Sequence, residues 1–254
     1  LNQRGRDYPK DRLVHEVIEQ QVEKTPDAPA VICEGEQLTF RQLNERANQL
    51  AHFLRQKGIG PDSIVGVCLV RCLEMEISLL AILKAGGAYA PLAPDYPRDR
   101  LSLIVKETAT PIVLTASRHA EKLAGCPAEV VCLDRERPTL ETFPTANIGK
   151  VAQRHNLAYV IFTSGSTGVP KGVMIEHGAL LNRLWWMQET FPLARDDRIL
   201  QKTPYTFDVS IWELFWPPMA GVPLVFARPG GHKDPAYLID LICRSGITTV
   251  DFVP

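Results

Sequence analysis

The sequence predicts an α/β fold, with mainly parallel β-sheets flanked by helices. Three observations lead there. Runs with apolar residues at helical spacing alternate with short apolar runs almost from end to end. Gly and Pro punctuate most boundaries between them. Apolar residues make up 45% of the 254, enough for a packed core.

Taken in order, residues 1–12 are polar, carry Gly5 and Pro9, and read as an inter-domain linker. Leu13, Val14, Val17, Ile18 and Val22 form one helical stripe. The runs 30–33 and 37–40 read as strands joined by a turn at 34–36. Leu43, Ala47, Leu50, Ala51 and Leu54 form a second stripe, with Gly58 placed to end it. A strand at 64–70, a helix at 75–84, a strand at 88–92, a helix at 98–108 and strands at 111–115 and 130–133 follow. Residues 134–156 turn polar with Pro138 and Pro144, which predicts a surface connection between a first α/β part (13–133) and a second (157–254). The second part opens with a strand at 157–162 and a Gly/Ser/Thr loop. It continues with a strand at 173–175, a helix at 178–190, a strand at 198–202, a helix at about 209–215, a strand at 223–227, a helix at 235–244 and a strand at 247–252. Strand and helix in alternation imply parallel sheets covered by helices.

Lys plus Arg number 28 against 29 for Asp plus Glu, so charge gives no case for a nucleic-acid partner. Apolar runs such as 77–83 are too short to span a bilayer. Cys33, Cys68, Cys72, Cys126, Cys132 and Cys243 form no CxxC pair and have no accompanying His cluster. They read as free, buried thiols of a cytoplasmic protein. The first residue is Leu1, and an apolar run stops at Pro254, so both ends read as cuts within a longer chain.

The most informative segment is 157–172, LAYVIFTSGSTGVPKG. An apolar strand runs directly into Thr163, Ser164, Gly165, Ser166, Thr167 and Gly168. Hydroxyls and glycines suit the wrapping of an anion, because backbone N–H groups can approach its oxygens and the hydroxyls donate further bonds. Lys171 adds a mobile point charge for a polyphosphate. The common GxxxxGK[ST] loop is excluded, because Pro170 falls five residues after Gly165 and Gly172 follows Lys171. A flexible turn between strands is the structural alternative.

This segment resembles the signature loop of the adenylate-forming superfamily. Residues 38–43 (LTFRQL), 83–94 (LKAGGAYAPLAP) and 207–210 (FDVS), with Tyr8-Pro9 and 23–26 (EKTP), resemble nonribosomal peptide synthetase adenylation domains. The resemblance covers the N-terminal portion of such a domain, within its large N-terminal lobe. It implies activation of an amino acid by ATP with Mg²⁺, giving an aminoacyl adenylate and pyrophosphate. The acyl group would then pass to phosphopantetheine on a carrier domain, with carrier and condensation domains as partners. The loop 163–168 and Lys171 would hold the ATP phosphates. The first two short motifs read as turn and packing sequences.

Asp208 sits between Phe207 and Val209 at a predicted helix start, where its residues alone favour an ordinary N-cap. The resemblance assigns it to the substrate α-ammonium group. It also makes Val209 and Trp212 lining residues of the side-chain pocket, with Trp212 one turn on from Asp208. The bulk of Trp212 suggests a shallow pocket, and the Asp-Val-Trp order resembles serine-activating domains. His177 reads as a cap or a nucleotide contact, and Trp185 and Trp186 as packing residues. The resemblance puts the adenine segment, a Mg²⁺-ligating Glu, the ribose Asp and the catalytic Lys after residue 254, so the isolated chain is expected to be inactive. Two other readings stay open: an acyl- or aryl-acid ligase of the same superfamily, and a non-catalytic interaction module.

Overall fold

The computed structural model describes residues 8–9, 11–163 and 170–252. Helix α1 (Val14–Lys24) buries Val14, Val17, Ile18 and Val22 along the stripe seen in the sequence. Strands β1 (Pro29–Cys33) and β2 (Glu36–Thr39) pair antiparallel. Helix α2 (Phe40–Gln56) opens on a reciprocal cap. Gln42 N–H donates to Thr39 Oγ1 at 3.2 Å, and Thr39 N–H donates to Gln42 Oε1 at 2.9 Å. A cap of this kind stabilises a helix by about 1 kcal/mol, so 38–43 has the structural role its sequence suggests.

The chain continues through β3 (Ile64–Cys68), α3 (Leu73–Lys84), β4 (Ala88–Pro91), α4 (Arg98–Glu107), β5 (Ile112–Thr115), α5 (Ser117–Ala120), β6 (Glu129–Cys132) and α6 (Leu133–Leu140). Beyond it lie β7 (Leu157–Thr163), β8 (Lys171–Glu176), α7 (His177–Thr190), β9 (Ile199–Gln201), α8 (Ser210–Ala220), β10 (Leu224–Phe226) and α9 (Pro235–Ser245). One sheet has four strands in the order β2-β1-β10-β9, and the other six in the order β6-β5-β3-β4-β7-β8. Every pairing is parallel except β1 with β2 and β7 with β8. Helix α3 contacts β1 of the first sheet and β3 and β4 of the second. All its residues but Glu74 are buried, which is why LEMEISLLAILK is apolar nearly all round.

Four expectations are corrected. The two sheets do not follow the two parts read from the sequence: β1 and β2 pair into a sheet with β9 and β10, while β7 and β8 extend the sheet built by β3–β6. The stretch 134–156, read as a polar connection with little periodicity, carries regular structure: its first residues belong to α6, and 141–145 lie along α2, where Gln49 Nε2 donates to the carbonyls of Glu141 (3.2 Å) and Phe143 (3.4 Å) and Asn48 Nδ2 to that of Thr145 (2.6 Å). Side-chain amides thereby satisfy irregular backbone. Helix α8 passes through Pro217 and Pro218 instead of ending near 215, and stops at Gly221, whose φ of +79° is a left-handed cap. Finally, 247–252 is not a strand. Thr249 makes a single bridge to Ile199, because Thr248 N–H and Thr249 N–H both donate to the Arg198 carbonyl and no ladder can extend.

The six cysteines are free thiols; Cys33 and Cys68 are buried and Cys243 is exposed. Part of the linker is docked: Tyr8 Oη donates to Glu189 at 2.6 Å, and Arg154 donates to the Pro9 carbonyl at 3.1 Å.

Candidate functional site

Strand β7 is buried from Ala158 to Ile161 and then emerges, with Phe162 half-buried and Thr163 exposed. Strand β8 returns beside it, so that Thr163 lies opposite Lys171 and Phe162 opposite Gly172. The predicted anion-binding residues Ser164, Gly165, Ser166, Thr167 and Gly168 lie outside the described residues. Thr163 and Lys171, which flank them, put a hydroxyl and an exposed ammonium at opposing register positions. Thr163 ends a parallel strand, on the sheet edge where α/β folds bind ligands.

The segment carrying Asp208 reaches the same edge. Tyr205 fixes it there: its buried hydroxyl accepts from Leu69 N–H at 3.2 Å and shares its proton between the carbonyls of Val67 (2.6 Å) and Leu92 (3.0 Å). Residues at the ends of β3 and β4 thus hold the segment two positions before Phe207. Glu213, wholly buried, accepts from Thr203 Oγ1 at 2.7 Å, Thr203 N–H at 3.1 Å and Gln201 Nε2 at 3.0 Å. Burial pushes its carboxyl up, and the bonds from Thr203 oppose that shift. Arg71, which follows β3, donates to the Lys202 carbonyl, to the Arg228 carbonyl at 3.4 Å and to His232 Nδ1 at 2.8 Å. It joins the carboxyl ends of the two sheets. Tyr205 and Arg71 carry no pattern that marks them in the sequence. Glu213 does carry one, as a lone acid inside the apolar run 211–217.

Asp208 does not act as an N-cap. The cap position of α8 is Val209, no side chain caps it, and the Asp208 carbonyl accepts from Ile211 N–H at 3.1 Å. Its carboxylate is exposed, as is Phe207, while Val209 and Trp212 are half-buried. Trp212 lies edge-on to Trp216 at 5.9 Å. The Tyr159 phenol on β7 is pushed up to about 12, first by burial and then by the Asp208 carboxylate, so Asp208 acts electrostatically on the strand that leads to Thr163. Tyr159 stacks on Tyr89 at 5.6 Å, and Tyr89 meets Phe215 at 6.0 Å. This aromatic column ties β7 and β4 to α8.

His177 is neither a cap nor surface-exposed. It is the first residue of α7, fully buried, with its ring 5.9 Å from that of His15, and α7 is preceded by Glu176 as N-cap. Trp186 is exposed and stacks with Arg183 at 4.4 Å. Among the described residues no group of three His, Cys, Asp or Glu side chains could hold a metal ion. None of their helices is long and apolar enough to cross a membrane.

The AMP-binding enzyme profile matches residues 18–254. The chain belongs to the AMP-binding enzyme family. Among curated relatives of this AMP-binding chain, tyrocidine synthase 3 of Brevibacillus parabrevis is 47% identical over 95% of the chain, which spans 4% of that protein. Zwittermicin A synthase ZmaJ of Bacillus cereus is 43% identical over 95% of the chain, which spans 46% of it. The solved nonribosomal peptide synthetase FmoA3 in its AMPPNP-bound form superposes with a TM-score of 0.90 at 31% identity, covering 97% of this chain and 26% of that one. Its form bound to alpha-methyl-L-serine-AMP gives 0.88 at 31% identity over 95% and 27%.

Proposed function

We propose that this chain is the N-terminal portion of an adenylation domain, which joins an amino acid to AMP and releases pyrophosphate. The observation that carries this reading is convergence. Thr163 ends β7 and Lys171 begins β8 at one edge of the six-stranded sheet, and Tyr205 ties the Asp208 segment to the ends of β3 and β4 at that edge, with Asp208 acting on Tyr159 of β7. Lys171 with the 163–168 loop supplies positive charge and hydrogen-bond donors for ATP phosphates. Asp208 offers a carboxylate for an α-ammonium group, and its freedom from capping leaves it available. Positioning the two reactants side by side is the main catalytic contribution these residues can make. ATP as substrate is supported by the AMPPNP-bound neighbour.

The same reading extends to a cytoplasmic multidomain synthetase, with carrier and condensation domains as partners and thioester transfer to phosphopantetheine as the second step. The remaining catalytic groups and the Mg²⁺ ligand then come from outside these residues, and the isolated chain does not turn over. Serine is the proposed substrate. The bulk of Trp212, one helical turn from Asp208, favours a small side chain, and the related FmoA3 is solved with alpha-methyl-L-serine-AMP. Asp208 argues against an acyl- or aryl-acid ligase, which has no ammonium to pair.

The test is amino-acid-dependent ATP–pyrophosphate exchange by the intact domain. Asp208→Ala should raise the amino-acid KM roughly tenfold to a hundredfold and leave the KM for ATP nearly unchanged. Lys171→Ala should raise the KM for ATP. A folded Asp208→Ala enzyme with an unchanged amino-acid KM rejects the assignment. A panel in which a bulky aromatic amino acid outperforms serine rejects serine and the shallow pocket together.

A further inference from the structure

On the opposite half of the six-stranded sheet, away from Thr163, lies a second cleft of about 450 Å³. It opens beyond the carboxyl ends of β3, β5 and β6, bounded by α2, α3 and α6. Small-molecule sites run from about 300 to 1,000 Å³ and combine apolar walls with a few polar groups. The apolar wall here is Leu50, Leu69, Ile77, Leu133 and Leu140, the first four buried in the core and available only along the cleft. Cys72 adds an unreactive thiol, pushed up to about 12 mainly by burial.

The charged groups on the rim are not equivalent. Arg46 is paired with Glu74 at 3.1 Å, and Arg137 with Glu141 at 3.0 Å. Asp134 accepts from Ser117 N–H at 2.9 Å. Each carboxylate on the rim therefore has a donor. Arg118 differs: its Nε donates to His119 at 3.1 Å, and among the described residues no carboxylate pairs with it. On its far side Arg118 borders a second, open depression with Asp95, where Arg98 pairs with Glu121 at 2.8 Å and Lys122 donates to the Pro94 carbonyl. The result is an apolar trough whose rim leaves two charges without an ion pair: Asp134, whose carboxylate accepts from Ser117 N–H, and Arg118, whose guanidinium keeps free donors. A guanidinium with free donors favours a planar carboxylate over a neutral hydroxyl of the same length.

We propose that this cleft binds a small amphipathic carboxylate, its hydrocarbon body along Leu50, Ile77 and Leu140 and its carboxylate on Arg118. Such a site is independent of the adenylation reading. Its lining comes from the ends of β3, β5 and β6 and from α2, α3 and α6, and includes neither Thr163, Lys171 nor Asp208.

Octanoate and 1-octanol, titrated into the ¹⁵N-labelled chain below micelle-forming concentrations, separate charge from hydrocarbon. Octanoate should saturate a single site, shift the amides of Leu50, Ile77 and Leu133, and bind at least about tenfold more tightly than 1-octanol. Arg118→Gln, at an exposed position, should abolish that preference and leave 1-octanol binding unchanged. Leu140→Trp should fill the trough and remove both ligands; if circular dichroism finds that variant unfolded, Arg137→Trp replaces it. Equal affinity of the two ligands for the unaltered chain overturns the proposal. So does an octanoate preference that survives Arg118→Gln, or the absence of any shift at the cleft amides.

Discussion

Tyr205 is the residue on which the position of the Asp208 segment most depends. Its buried hydroxyl meets three backbone groups of β3, β4 and their exits. In Tyr205→Phe the ring remains, but Leu69 N–H loses its acceptor and two carbonyls lose a donor. An unsatisfied buried group costs about 1–3 kcal/mol, so urea unfolding should show a loss of that size. If the adenylation reading holds, the amino-acid KM of the intact domain should rise more than the KM for ATP, because the tether lies three residues from Asp208. A loss of stability with both KM values unchanged would make Tyr205 purely structural.

At the scale of elements, the junction of α1 with α7 contains a pH-sensitive pair. His15 and His177 are buried ring against ring, and none of their four nitrogens has a hydrogen-bond partner among the described residues. Burial pushes His177 down to about 4, with Asp62 opposing that shift. Burial, then His177, Lys84 and Lys150, hold His15 well below its ordinary value. A folded-state value below the unfolded one near 6.5 means that the stability contribution is complete above pH 6.5. It is lost as pH falls towards 4, by at most about 1.4 kcal/mol per pH unit for each histidine. The urea midpoint should therefore drop between pH 7 and pH 5, and drop less in His177→Leu. Equal drops in the two proteins would remove His177 as the cause.

For the whole molecule, the decisive element is α3, enclosed between the two sheets. It carries Glu76, whose carboxyl is buried, has an oxygen without a partner, and is pushed up to about 8 by desolvation alone. Here the sign is reversed. The folded-state value lies above the unfolded one near 4.5, so the contribution is complete below pH 4.5 and lost as pH rises towards 8. Glu76→Gln removes the ionisation and keeps the shape. Its stability advantage over the unaltered protein should grow from pH 5 to pH 8, again by at most about 1.4 kcal/mol per unit. An advantage that stays constant across that range would show that Glu76 does not titrate there.

The sequence alone determined most of the elements, because each encodes burial of its own face. The stripe in α1, the Thr39–Gln42 cap and the continuous apolar run of α3 are local patterns with local causes. The composition of 163–168, hydroxyls and glycines following a buried strand, is likewise a local pattern, and the anion-binding role read from it is a proposal. Only the tertiary structure decided which strands pair: Val31 lies beside Leu224, and Tyr89 beside Tyr159. Apolar strands are alike in their local pattern, so partner choice depends on packing the whole chain. For the same reason, Tyr205, Arg71 and the His15–His177 pair could not be read in advance. Their partners lie far along the chain, and a single polar residue with a distant partner leaves no periodicity behind. The failed strand at 247–252 shows the converse: an apolar run becomes a strand only where a neighbouring edge leaves its backbone groups free to pair.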